Sequence, residues 1–244
     1  NLSPFTLAQT THNISDKQAQ NQSQVQSKNR TIIILFTGFG SQTMNDDATG
    51  MHNLATALSR EERLSKANTK IETQIFGWER EDRQAAIQYL NRLGRLSNDK
   101  LIVIGHSFGG DTAIDFANEL KNNNRQIDLL VQIDSVGYSD DILPSNVNRG
   151  INYYQVIDSI SGPLVEESVR NSENINVNEV FRNQLNRDNT YPLKHGTIDD
   201  SNVIHQAIIE EILKSTASAQ SSTPAQAEIY EIRNVNIKKY IIYS

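Results

Sequence analysis

Cysteine is absent from the 244 residues, which rules out disulfides, thiolate metal sites and a cysteine nucleophile. Long apolar runs are absent too. The longest, Ile32 to Phe36, has the length of a strand and falls far short of the ~20 residues that span a bilayer. Basic residues are in deficit, 23 Lys and Arg against 29 Asp and Glu. The resulting charge of −6 argues against a nucleic-acid partner or an anionic membrane surface. No internal repeat is present. The length fits one ordinary α/β domain with tails. The sequence opens on Asn1 rather than methionine, so a processed or truncated chain is expected. Leu7-Ala8-Gln9 reads either as the tail of a secretory signal or as a fragment boundary, and both a cytoplasmic and an exported location stay open.

Three segments are expected. Residues 1–30 are a flexible polar leader, because Thr10 to Arg30 is rich in Gln, Asn and Ser and has too little apolar surface to offset ordering. Residues 31–214 carry the fold, and residues 215–244 are a linker with a C-terminal extension, whose Glu228 to Ser244 alternates like an edge hairpin.

Within the central segment, Thr31 to Thr37 is a continuous β-branched run suited to a strand buried on both faces. Leu54, Ala55 and Leu58 mark a helix after it. Lys70 to Phe76 is the second strand, and Arg80 to Leu96 a helix with Ala86, Ile87, Leu90 and Leu93 on its apolar stripe. Leu101 to Ile104, Ile127 to Ile133 and Ile151 to Ile157 are three further strands. Ser161 to Lys194 is weakly patterned and expected to be a long loop, either a wall of the site or a solvated insertion. Asp199 to Leu213 is the last helix, with Ile204, Ala207, Ile208 and Ile212 inward. Strands alternating with helices predict an α/β fold: a three-layer α/β/α sandwich around a mostly parallel sheet. Ligands then bind beyond the carboxyl ends of the strands, at Gly38-Phe39, Trp78, Ser107, Asp134 and Asp158.

One of those ends carries chemistry. Leu101-Ile102-Val103-Ile104 runs into Gly105-His106-Ser107-Phe108-Gly109, and helix spacing follows in Ala113, Ile114, Phe116, Ala117 and Leu120. Glycines on both sides let strand and helix approach and place Ser107 on a strained turn, its hydroxyl raised into the cleft. The N–H of Phe108 lies at the positive end of the helix, where an oxyanion is stabilised. A serine hydroxyl needs a base, and the base a carboxylate. Five histidines are available. His12 lies in the leader, His52 opens an early helix, His106 is expected to point away from Ser107, and His205 sits inside the last helix. His195, in the loop Lys194-His195-Gly196-Thr197, is favoured by position. Asp134, which ends the strand after the elbow unit, is favoured as the acid, and Asp158, one strand later, is the alternative. The loop after the first strand offers a second oxyanion donor, the N–H of Phe39 or Gly40.

These pieces resemble the α/β-hydrolase superfamily. The matching residues are Thr37-Gly38-Phe39-Gly40 after the first strand, the elbow Gly105 to Gly109, the strand-end Asp134 and the late His195, in the order nucleophile, acid, histidine. The resemblance covers residues 31 to 214 and implies a short version of that fold with acyl-transfer chemistry. Gly38-Phe39 and the Ile133-Asp134-Ser135 turn are similar to lipases that carry the acid one strand earlier than most relatives. The expected function is a serine hydrolase of carboxylic esters, lipase- or esterase-like, working on a small-molecule acyl ester without cofactor or metal. A thioesterase or acyltransferase would use the same groups. A catalytically silent domain of this fold is the rival reading, favoured if neither His195 nor His205 reaches Ser107. Met44, Met51, Tyr138, Leu143 and Leu164 read equally well as an acyl pocket or as packing.

Overall fold

The computed structural model describes residues 29–39, 50–65, 69–138, 142–158 and 172–217. Residues 1–28 of the leader, most of the C-terminal extension with its expected hairpin, and Gly40, Met44 and Leu164 lie outside the described residues, whereas Asn29 and Arg30, expected in the leader, already belong to the first strand.

Six strands form one sheet: β1 (Asn29–Phe36), β2 (Thr69–Phe76), β3 (Lys100–His106), β4 (Leu129–Ile133), β5 (Gly150–Tyr154) and β6 (Ser172–Asn176). Their spatial order is β2-β1-β3-β4-β5-β6, and every pairing is parallel. Parallel neighbours need crossovers. These include α1 (Gly50–Arg60), α3 (Arg80–Leu93) and α4 (Phe108–Asn122), while the single turn α2 (Glu62–Ser65) follows α1. After β6 come α5 (Val177–Val180), α6 (Arg182–Arg187), α7 (His195–Ile198) and α8 (Asn202–Ala217).

Residues of β1 alternate between two cores. Ile33 and Leu35 face α1 and α8, through Met51, Leu54, Leu58, Ile204, Ile208 and Ile212. Ile32, Ile34 and Phe36 face α3 and α4, through Ala86, Leu90, Ala113, Phe116 and Leu120. The chain is therefore the expected three-layer α/β/α sandwich. It is β1 and β3, covered on both faces, that read as unbroken apolar runs. The chain winds from β1 outward to β2 and then crosses to β3 on the other side of β1. That reversal opens a crevice at the carboxyl ends of β1 and β3.

The structure corrects several expectations. Ser161 to Lys194 is not simply a loop: it holds the edge strand β6 and the turns α5 and α6. In Ser-Glu-Asn-Ile-Asn only Ile175 is apolar, so this strand offers no hydrophobic run to find. The helix expected to Leu96 stops at Leu93, where Gly94 takes a φ of 66°. The last helix starts at Asn202 and runs on to Ala217, past the expected end of the domain. The fifth strand stops at Tyr154, short of Ile157. Met51 and Leu143 are buried core residues rather than pocket lining, whereas Tyr138 is fully exposed.

Candidate active site

Ser107 sits at the apex of the β3–α4 turn with φ 55° and ψ −128°, a conformation that a side-chain-bearing residue rarely adopts. Its neighbours make the turn sterically possible. A Cβ on Gly105 would lie 2.1 Å from the carbonyl oxygen of Gly109, and one on Gly109 would lie 2.3 Å from that of Phe36. From the β1 side, Gly38 comes so close that its Cβ would meet the Cβ of Ser107 at 2.7 Å. The N–H of Ser107 is tied to the carbonyl of Ile133, and its carbonyl accepts from Gly110 and Val136. The strained serine is thus fixed from β4 and from α4.

Three strand ends converge on His195. From β3, Ser107 Oγ lies 2.9 Å from His195 Nε2. From β4, Asp134 Oδ2 lies 2.8 Å from His195 Nδ1. Nδ1 faces a carboxylate, so it carries the proton and donates it, and Nε2 is left to accept from the serine hydroxyl. Asp134 is fully buried and turned by a positive φ of 43°. Gln155 donates to its carboxylate twice, from Nε2 at 2.9 Å and from the main-chain N–H at 3.3 Å.

Asp158, the other strand-end carboxylate, does not meet the imidazole nitrogens. Its Oδ2 accepts the main-chain N–H of His195 at 2.9 Å, and its Oδ1 accepts from Gln155 Nε2 at 2.7 Å. His106 meets His195: its Nε2–H donates to the His195 carbonyl at 3.1 Å, and the ring centroids lie 5.1 Å apart. Asp199 Oδ2 stands 3.4 Å from His106 Nδ1. Burial holds the His106 imidazole below its ordinary pKa, with Asp199 opposing and His195 reinforcing that shift. His205 is buried in α8 against the carbonyl of Asp199 at 2.6 Å, a packed histidine.

The segment leading to His195 is anchored by a residue that sequence patterning passes over. The Asn178 side chain donates to the carbonyl of Leu193 and accepts its N–H, both at 2.8 Å, which pins the approach to α7 onto α5. Its only signal was an Asn within an Asn-rich stretch.

Two of the expected oxyanion donors, Phe108 and Phe39, fall among the described residues. Phe108 is the first residue of α4, where N–H groups lack intrahelical partners. Phe39 follows Gly38 on the β1 loop, its side chain 77 % exposed. The rings form a chain across the mouth: Phe39 to Trp78 at 6.1 Å and Trp78 to Phe108 at 5.0 Å between centroids. Trp78 is held through its carbonyl by the Thr112 hydroxyl at 2.5 Å. Among the described residues, no cluster of His, Asp and Glu is grouped to hold a metal ion, and no helix is long and apolar enough to cross a membrane.

The parallel sheet, the glycine-flanked serine after β3, and the order of Ser107, Asp134 and His195 give the chain the α/β-hydrolase fold. Similar solved structures include the RedJ thioesterase of the prodiginine biosynthetic pathway in Streptomyces coelicolor. It is 11 % identical with a TM-score of 0.45, over 88 % of this chain and 98 % of that one. XC6422 from Xanthomonas campestris, an α/β serine hydrolase without a lid, is 13 % identical with a TM-score of 0.42, over 80 % and 84 %. The peroxisomal α/β-hydrolase Lpx1 from Saccharomyces cerevisiae is 13 % identical with a TM-score of 0.38, over 79 % and 86 %. No curated protein matches the sequence. Residues 73–216 match the family model described as Mbeg1-like, which is more than half of the sequence, and the chain therefore belongs to the Mbeg1-like family.

Proposed function

We propose that the chain is a serine hydrolase of carboxylic esters, lipase- or esterase-like, acting through an acyl-enzyme on Ser107. The observation that carries this reading is the unbroken relay of contacts, 2.9 Å from Ser107 Oγ to His195 Nε2 and 2.8 Å from His195 Nδ1 to Asp134. In the reaction, Ser107 Oγ attacks the acyl carbon while His195 Nε2 takes its proton. Asp134 keeps the imidazole in the tautomer that can accept and stabilises the imidazolium that forms. The N–H groups of Phe108 and Phe39 receive the negative charge on the carbonyl oxygen, worth about 3 kcal/mol each in the transition state. The imidazolium protonates the departing alcohol. Water, deprotonated by the same nitrogen, then releases the acid from Ser107.

The apolar rings of Phe39, Trp78 and Phe108 beside the serine suit an apolar acyl group. A domain that binds without turnover would need no base in reach of Ser107, so the His195 contact weighs against the silent reading.

The test is a panel of p-nitrophenyl esters and matching thioesters of increasing acyl length. Wild type is expected to turn over the esters. Ser107→Ala and His195→Ala are expected to fall by about a million-fold, to the assay floor. Faster thioester than ester turnover would move the reading to a thioesterase, and an active Ser107→Ala would end it.

A further inference from the structure

His195 is held at three points by three successive strands of the sheet, and only one of those holds concerns its ring nitrogens. Asp134 at the end of β4 takes the ring. His106 at the end of β3 takes the main-chain carbonyl. Asp158, after β5, takes the main-chain N–H at 2.9 Å.

The two carboxylates are also joined to each other. Gln155 is fully buried, and its Oε1 accepts the N–H groups of Ile157 at 2.7 Å and Asp158 at 3.3 Å. Those main-chain donors settle which way the amide points, so Nε2 must face the acids. There it donates to Asp134 Oδ2 at 2.9 Å and to Asp158 Oδ1 at 2.7 Å. A buried amide that donates to two carboxylates, each bound to a different part of one histidine, fixes the imidazole relative to its own peptide.

We propose that Asp158, keyed to Asp134 through Gln155, is a positioning residue that holds the peptide of His195 and so sets the aim of its ring. This rests on the serine-hydrolase reading above. His195 is the first residue of α7, a single turn. Without an acceptor for its N–H, that turn has one fewer point of attachment to the sheet. A displacement of about 1 Å at a catalytic group is enough for a hundredfold loss. Asp158 also brings a negative charge close to an imidazole that becomes cationic during turnover. The ionisable groups facing His195 are Asp134 from β4, Asp158 from the β5 end and His106 from β3, with Asp199 behind His106.

The test compares wild type, Asp158→Ala and Asp158→Asn. It measures kcat and KM on a soluble ester, the rate of fluorophosphonate labelling, and Tm. Asp158→Ala is expected to lose roughly ten- to a hundredfold in kcat and in labelling rate, with KM within about twofold. Asp158→Asn keeps an oxygen for the His195 N–H but sets its own amide N–H against the Gln155 Nε2–H, and is expected to recover part of the rate. A merely structural residue would lower Tm without slowing kcat and labelling in the folded enzyme. A folded Asp158→Ala with wild-type kcat and labelling rate overturns the inference, as does an Asp158→Asn no more active than Asp158→Ala. Wild type that neither labels nor turns over any ester fails the parent reading instead. Hydrogen exchange of the His195 main-chain N–H separates that case, because loss of its acceptor should speed that exchange whether or not the enzyme turns over.

Discussion

At the scale of single residues, the account depends on which atoms of His195 each neighbour holds. Asp134 holds Nδ1, so Asp134→Asn offers an amide where a carboxylate accepted a proton and selects the wrong tautomer. We expect kcat on an ester substrate to fall by about 10⁴-fold while Tm stays within a few degrees. Asp158→Asn should retain far more of its rate than Asp134→Asn. The reverse ranking, with Asp158→Asn the more damaging, would reassign the acid. Residue types and order made Ser107, Asp134 and His195 legible as candidates, because the elbow is a local motif and the partners follow it in sequence. The second role, holding the peptide of His195, was not legible. Asp158 and His106 touch His195 across 37 and 89 residues, and side-chain contacts to a main-chain group leave no spacing in the sequence.

At the scale of elements, the elbow is a steric device. Gly105→Ala would drive a Cβ to within 2.1 Å of the Gly109 carbonyl, a backbone contact that cannot be relieved by rotating a side chain. The β3–α4 turn must open, and we expect loss of fluorophosphonate labelling together with a lower Tm. At the far end of the sheet, Arg30 makes a two-pronged pair with Asp99 and donates to the carbonyls of Leu93 and Gly94, closing the last turn of α3. Both side chains are nearly buried, so Arg30→Ala leaves a carboxylate uncompensated and should cost about 3–5 kcal/mol in urea unfolding, with the site geometry intact. Continuous apolar runs made β1, β3 and β4 readable. Edge strand β6, with one apolar residue, and the turns α5 and α6 were hidden in an Asn-rich stretch, because their order comes from β5 and from the Asn178–Leu193 tie rather than from their own hydrophobicity.

At the scale of the whole molecule, two apolar cores clamp the sheet and bring the ends of β3, β4 and β5 to one histidine. Because that convergence is buried, the fold should be acid-sensitive. Burial lowers the pKa of His106 in the native state below its ordinary value near 6.5. Below that pH the unfolded chain takes up a proton that the native chain refuses, so stability contributed by neutral His106 is present above about 6.5 and is lost as pH falls toward the native pKa. Tm should therefore drop from pH 7 to pH 5, and His106→Gln, which keeps a donor for the His195 carbonyl, should flatten the drop. An unchanged slope in that variant would place the sensitivity elsewhere. The central claim is that Ser107 is an activated nucleophile, and intact-mass spectrometry after incubation with a fluorophosphonate addresses it directly. The account predicts one adduct per chain, mapped by peptide digestion to Ser107, absent in Ser107→Ala and almost absent in His195→Ala. Well-folded wild type that gains no mass, or an adduct that persists in Ser107→Ala, would contradict it.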